Sequence, residues 1–241
     1  MSDQARKTDK ARTRVSILVS AILLWAFGVI AHETARGDTS AFDRQVLLAF
    51  RDPSNPSVPI GPAWLQEAAR DVTSLGSIVV LTIITLAAAA YLLLANRRGA
   101  ALLMLFAVFG GMVLVELLKA IIARPRPDLL FHAVRVFTAS FPSGHASLSA
   151  ITYLTAGAIL ARSQPSFALR FYFATLASFI TVLIGVSRLY LGVHYPTDVL
   201  AGWCIGSAWA IACWVIAEWL EAGREVQPPT GFGRGQSAPV Q

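Results

Sequence analysis

Charge is scarce in this sequence. Asp, Glu, Lys and Arg make up only 14% of its 241 residues, against 55% hydrophobic ones. A soluble domain averages about 25% charged residues, and a chain of this length with so few charges could not cover its surface in water. Disorder is excluded as well, because disordered segments combine low hydrophobicity with high net charge. Cysteine is almost missing. Cys204 and Cys213 share one apolar stretch, and their spacing turns them to roughly opposite faces of a helix. They form neither a disulfide nor a metal pair and say nothing about compartment. What remains is apolar, with a mean hydropathy of +0.59, and reads as an integral membrane protein. At about 20 residues per span, the length admits roughly five to seven spans.

The net charge is +6 and the pI is near 9.8. In a soluble protein this would suggest a nucleic-acid partner. In a membrane chain it reads as basic cytoplasmic loops, with no nucleic acid. Six apolar stretches predict an all-α bundle of six transmembrane helices: Val15 to Ala31, about Leu75 to Ala95, about Ala100 to Ile122, roughly Ala146 to Ala161, Phe171 to Val186, and Val199 to Ala217. The fourth and fifth are short for the hydrocarbon core, so their ends are expected to extend into polar flanks. Small residues such as Ser147, Ser149, Thr152, Thr155 and Gly157 suit close packing of membrane helices. The first stretch follows a basic segment and has a signal-peptide alternative. Its run of 17 residues exceeds the usual signal core of about 7–15, which favours an uncleaved helix.

Three regions follow: a basic cytoplasmic N-terminus over 1–14, a membrane domain over 15–217, and a polar, Gly/Pro-rich tail over 218–241 expected to be disordered. With the N-terminus inside, the inner segments hold eleven Lys and Arg residues and the outer segments nine. This bias is mild unless several outer basics have a chemical task. The long first outer loop carries apolar residues at helical spacing over Ser40 to Arg51 and Pro62 to Val72, separated by a Pro-rich turn. Two short interfacial amphipathic helices are expected there, serving either as a lid or lipid-entry wall or as a plain connector.

Three polar clusters fall at the outer ends of helices three to six: Lys119 to Pro127, Phe141 to His145, and Ser187 to Asp198. Each alone has a structural explanation. Lys119 can snorkel, Pro142-Ser143-Gly144 can be a turn and cap, and His194 with Asp198 can be an interfacial hydrogen-bonded pair. Together they supply a phosphoryl-transfer site. Lys119, Arg126 and Arg188 can grip phosphate oxygens. Ser143 and Gly144 stand at a helix N-terminus, where free N–H groups bind anions, and glycine lets the backbone come close. Two histidines, His145 and His194, can divide nucleophile and acid between them. Asp198, four residues past His194, is spaced to hold one ring nitrogen and leave the other as a lone pair. Pro196 suits the first turn of the sixth helix.

At these residues the sequence resembles the type 2 phosphatidic acid phosphatase superfamily. The family pattern is Lys, six residues, Arg-Pro; then Pro-Ser-Gly-His; then Ser-Arg, five residues, His, three residues, Asp. Here it is met by Lys119, Arg126-Pro127, Pro142 to His145, Ser187-Arg188, His194 and Asp198, without a departure. The resemblance is strong over about Leu114 to Cys204. It implies that His194 attacks phosphorus to form a phosphohistidine, that Asp198 orients it, and that His145 protonates the leaving group. It further implies that Lys119, Arg126, Arg188, Ser143 and the Gly144 amide hold the phosphate. No metal and no cofactor are implied, and the outer face lacks a dense carboxylate cluster of the Mg²⁺ type.

The expected protein is therefore a membrane lipid phosphatase acting on the outer side of a bacterial inner membrane. Its partners are a lipid phosphate substrate and the bilayer, and protein partners are left open. Isoprenoid pyrophosphates, phosphatidylglycerol phosphate, phosphatidate and lipid A phosphates all fit. A phosphotransferase is the near alternative. A transporter is disfavoured, because the charges gather at helix ends rather than at the midplane. Six spans exclude a soluble vanadate-binding haloperoxidase with the same motif. Outside the motifs, Arg124 is expected as a spare cation or a headgroup contact, the latter favoured, Glu116 as a holder of Lys119, His132 as a surface residue, and Trp203, Trp209, Trp214 and Trp219 as packing or interfacial-belt residues.

Overall fold

The computed structural model describes residues 3–127 and 138–225, with side chains over 11–127 and 138–220. His132 and residues 226–241 of the tail lie outside the described residues. Within them the chain is all-helical: α1 (Asp3–Arg36), α2 (Ser40–Ala49), α3 (Ala63–Ser74), α4 (Ile78–Leu94), α5 (Arg98–Ile122), α6 (Gly144–Arg162), α7 (Phe167–Tyr190) and α8 (Pro196–Glu225). Each apolar stretch of the sequence coincides with a helix. The ends of the fourth and fifth do extend into polar flanks. α8 runs beyond the expected limit at Ala217, and α1 begins inside the basic N-terminal segment. Ala, Gln, Lys and Arg there are good helix formers, so the helix has no reason to stop where the apolar run does.

Among the described residues four helices are long and apolar enough to cross a membrane, within α1, α5, α7 and α8; α3 and α4, bent by 47°, make a fifth if taken as one broken span. α6 is not among them, and its place in the fold explains why. It packs against α4, α5, α7 and α8, and eleven of its 19 residues are buried, Ser147, Ser149, Thr152 and Thr155 among them. A helix enclosed by other helices needs no lipid-facing apolar surface. The outer helices carry that surface instead, with Ile17, Ile22 and Trp25 on α1, Val79 and Ile83 on α4, Leu102 and Phe106 on α5, and Phe171 and Phe179 on α7 all exposed. Apolar exposure on this scale does not occur on a soluble monomer. The chain is an integral membrane protein.

Apolar burial against lipid contributes little to helix association, so close contact and interhelical hydrogen bonds must hold the bundle. At the α6–α8 crossing, a Cβ on Gly202 would stand 3.0 Å from both the Ala146 Cβ and the Ser143 carbonyl. Only glycine permits this approach, which brings the start of α8 against the start of α6. Trp209 Nε1 donates to the Ala107 carbonyl (2.8 Å), Trp203 Nε1 to Thr181 (3.2 Å), and Ser20 Oγ to Ala208 (3.2 Å). Trp203 and Trp209 are thus packing residues, while Trp219 is exposed.

The two helices expected in the first loop are present as α2 and α3. The segment between them is closed rather than irregular: Asp52 N donates to the Val58 carbonyl, Ile60 N to Phe50, and Arg51 pairs with Pro59 in an isolated antiparallel bridge. α2 docks on α8 and α3 on α7.

Candidate active site

Four chain segments meet at one end of the bundle. α5 ends at Ala123, which caps it in the left-handed region (φ 45°, ψ 33°). The turn releases the chain into Arg124-Pro125-Arg126-Pro127, whose prolines cannot continue a helix. The segment 138–143 returns beside it, with Ser140 N donating to the Arg124 carbonyl (2.8 Å), and leads into α6. α7 brings Arg188 in its last turn. The short stretch after α7 carries His194, and α8 opens at Pro196, the first-turn position expected for it.

His194 and Asp198 are almost wholly buried, at 1% and 0% exposure. His194 Nδ1 lies 3.4 Å from Asp198 Oδ2. The same oxygen accepts from the Tyr195 amide (2.9 Å) and, in a short hydrogen bond, from Ser140 Oγ. Ser140 Oγ is also 3.4 Å from His194 Nδ1. An aspartate oxygen facing Nδ1 favours the tautomer that carries its proton there and leaves Nε2 as a lone pair. Nε2 in turn lies 3.1 Å from Arg126 Nη1, which also donates to the Val193 carbonyl (2.8 Å). Thr138 fixes the rest of that guanidinium, accepting from Nε on its carbonyl (2.9 Å) and from Nη2 on its hydroxyl (3.0 Å). Burial, chiefly, pushes the His194 pKa down to about 4; Arg188 and Arg126 act in the same direction, and Asp198 opposes them.

The remaining sequence-designated residues surround this pair. Lys119 and Arg188 are buried, at 9% and 7% exposure. A Cβ on Gly144 would stand 3.2 Å from Lys119 Nζ, so a larger residue would crowd the ammonium. Glu116 holds Lys119 from one turn below (3.6 Å), as expected from their spacing. His145 lies within the electrostatic reach of Arg188, His194, Lys119 and Arg126. Ser143 N donates to the Asp198 carbonyl (2.9 Å), which ties the start of α6 to the His–Asp pair. Arg188 Nη1 donates to Thr73 Oγ1 of α3 (3.1 Å). Two buried groups here have no hydrogen-bond partner, Ser143 Oγ and Arg188 Nε. Unsatisfied buried donors are rare, and donors at a helix N-terminus and on a guanidinium match a tetrahedral oxyanion. All eight sequence-designated residues are thus gathered at one end.

One expectation fails. Arg124 does not face outward toward a headgroup. It turns inward, with Nη1 2.6 Å from Asp198 Oδ1 and Nη2 2.7 Å from Asp43 Oδ2, and its guanidinium carbon sits 4.1 Å from the centre of the Tyr195 ring. Two buried carboxylates attract it more strongly than water at the bundle edge. Asp43, Ser140 and Thr138 were not legible as site neighbours in the sequence. Ser140 stands just ahead of Phe141-Pro142-Ser143 but belongs to no spacing rule, and Asp43 lies in the first loop.

Comparison with known proteins points to a family. The model of the PAP2 superfamily matches residues 100–222, a range that includes all three polar clusters. Phosphatidylglycerophosphatase B of Bacillus subtilis is 34% identical over 154 residues, covering 64% of this chain and 75% of that one. Lipid A 1-phosphatase of Rhizobium johnstonii is 38% identical over 112 residues, covering 42% of this chain and 41% of that one. Among solved structures, the crystal structure of a transmembrane PAP2-type phosphatidylglycerolphosphate phosphatase from Bacillus subtilis superposes with a TM-score of 0.75 at 28% identity. It covers 83% of this chain and 96% of its own.

Proposed function

The chain belongs to the PAP2 superfamily, and we propose that it hydrolyses a phosphate or pyrophosphate monoester of a membrane lipid through a phosphohistidine. The observation that carries this reading is the buried His194–Asp198 pair with Lys119, Arg126 and Arg188 around it and His145 beside it. His194 Nε2 attacks phosphorus as the P–O bond to the lipid breaks, and His145 gives its proton to the departing oxygen. Asp198 stabilises the resulting charge on His194. His145, now neutral, removes a proton from water, which attacks phosphorus, breaks the P–N bond and releases inorganic phosphate. The three cations, Ser143 Oγ and the Gly144 amide stabilise the equatorial oxygens, and the scheme needs no metal.

Six spans, formed by α1, α4, α5, α6, α7 and α8, fit this chemistry. The N-terminus and C-terminus then lie in the cytoplasm, α2 and α3 lie along the interface, and the site faces the outer side of a bacterial inner membrane. A lipid tail can stay in the bilayer while its phosphate reaches the cations. The name and the structural likeness of the Bacillus subtilis relative favour phosphatidylglycerol phosphate as the first substrate to try. The test is phosphate release by the purified chain from phosphatidylglycerol phosphate, phosphatidate, an isoprenoid diphosphate and a lipid A phosphate, with His194→Ala as control. Turnover of at least one lipid, lost in the control, is expected. No release from any, or release undiminished in His194→Ala, overturns the proposal.

A further inference from the structure

Resting on the phosphatase reading above, we infer that Arg124 and Asp43 are positioning residues for the His194–Asp198 pair, and that through them the first outer loop takes part in catalysis. Asp43 is on α2 and is fully buried. Its Oδ1 accepts from the Thr197 amide (3.1 Å), its Oδ2 from Arg124 Nη2 (2.7 Å), and the Thr197 hydroxyl is within 2.9 and 2.8 Å of the two oxygens. The Thr197 amide is one of the donors left open at the start of α8. Asp43 therefore caps, from another element, the helix that carries Asp198. Arg124 completes the link. Nη1 bonds both Asp198 Oδ1 (2.6 Å) and Thr197 Oγ1 (2.9 Å), while Nη2 reaches Asp43 and Thr39 Oγ1 at 3.4 Å.

Asp198 is consequently held by its two oxygens for two purposes. Oδ1 is committed to Arg124, and Oδ2 is left to Ser140, the Tyr195 amide and His194. Without Arg124 the carboxylate loses its hold on Oδ1, and only Ser140 and the Tyr195 amide are left to keep Oδ2 opposite Nδ1. Without Asp43, Arg124 loses the anchor that opposes Asp198, and the start of α8 loses its cap. Arg124 and Arg126, two residues apart, grip opposite ends of the pair, one at the carboxylate and the other at Nε2. Arg126 faces the reacting atoms, whereas Arg124 acts only through Asp198.

The test uses the whole chain in detergent, with dioctanoyl phosphatidate as substrate and inorganic phosphate as the probe of the anion pocket. Arg124→Gln is expected to lower kcat about ten- to a hundredfold while KM and the inhibition constant of phosphate stay within about threefold. Asp43→Asn is expected to lower kcat about five- to tenfold, with the double variant no slower than Arg124→Gln within about twofold, because the two act as one unit. Arg124→Lys, which keeps a charge but cannot fork to two carboxylates, should fall between wild type and Arg124→Gln; it carries the comparison if Arg124→Gln does not fold. A readout independent of turnover is the titration of His194 by NMR of nitrogen-labelled imidazoles. If Arg124 positions Asp198, Arg124→Gln should lower this midpoint, because the carboxylate that stabilises the His194 cation loses its place, with Ser140, Arg126, Arg188 and His145 unchanged around it; a rise would mark loss of a nearby charge without loss of positioning and would overturn the inference. Normal kcat in Arg124→Gln, a rise in KM and in the phosphate constant with kcat kept, additive losses, or an unmoved His194 midpoint would each overturn the inference. If the wild-type chain releases no phosphate from any lipid, the phosphatase reading fails, and the His194 titration still decides the positioning of the pair.

Discussion

Asp198→Asn is the sharpest single perturbation, because it changes charge and hydrogen-bonding capacity without changing shape. Both carboxylate oxygens only accept. Oδ1 takes Arg124 Nη1, and Oδ2 takes the Tyr195 amide and Ser140 Oγ and faces His194 Nδ1. An asparagine must aim its NH₂ group at one of these sides, where it meets a donor. Losing a charge-assisted bond costs about 1.5–3 kcal/mol. Arg124 keeps Asp43 as a partner, so the full cost of orphaning a buried cation, about 3–5 kcal/mol, is not reached. A net loss of about 2–3 kcal/mol corresponds to a fall in Tm of about 4–12 °C for a chain of this size. The effect on rate is larger. At 1.36 kcal/mol per decade, the lost stabilisation of the His194 cation alone is about ten- to a hundredfold. An NH₂ group opposite Nδ1 also drives the ring proton to Nε2, the atom that must attack. The same change in a serine-protease triad costs about 10⁴, so kcat should drop by about 10³–10⁴ here. The assays are phosphate release from the preferred lipid at saturation and thermal unfolding in the same detergent. A variant that keeps more than a tenth of the wild-type kcat, with Tm unchanged, would refute the view that Asp198 sets the state of His194.

The pH dependence carries a sign. His194 is pushed down to about 4 by burial, so it stays unprotonated well below the ordinary imidazole value of about 6.5, and the acidic limb of kcat/KM should fall below that value; a limb at or above it would contradict the assignment. The same shift means that the unfolded chain takes up its proton first, so this residue's contribution to stability is lost as pH falls from about 6.5 towards 4, which acid unfolding of His194→Gln against wild type will show as a smaller loss in the variant. Activity should survive excess EDTA, since Lys119, Arg126 and Arg188 supply the positive charge; loss on chelation with recovery in Mg²⁺ would contradict it. A cysteine at Ser57, between α2 and α3, should react with a membrane-impermeant reagent from outside and one at Pro165, between α6 and α7, should not; the reverse pattern would place the site in the cytoplasm.

The helices and the motif were legible because both are written locally. Twenty-residue apolar runs announce membrane helices, and the four residues from His194 to Asp198 are close to one helical turn, so the pair could be named before any fold was known. Glu116 beneath Lys119 was readable for the same reason. Asp43 was not. It contacts Arg124 and Thr197 across 81 and 154 residues of chain, and nothing in the sequence around Ser40 to Ala49 marks one acidic residue as turned inward. Arg124 was misjudged through the same gap, because its partners come from two elements that only the tertiary fold brings together. The polarity of α6 gave a mixed signal: its Ser and Thr residues weaken the hydropathy of a span, and the structure shows them buried at the centre of the bundle.

The contact between Arg126 and His194 has a consequence for selectivity. A lone pair that accepts a guanidinium proton is quenched as a nucleophile, and Arg126 Nη1 occupies that position while bridging to the Val193 carbonyl. Whatever draws Arg126 away must compete for it as an anion. On the proposed mechanism a phosphate group would do this in the act of binding, so docking and arming would become one event. A neutral lipid drifting in from the bilayer offers no such competition and meets a histidine that is still muzzled. On the proposed mechanism, discrimination against lipids without an anionic group would then reside in the guanidinium of Arg126 itself, without a separate gate.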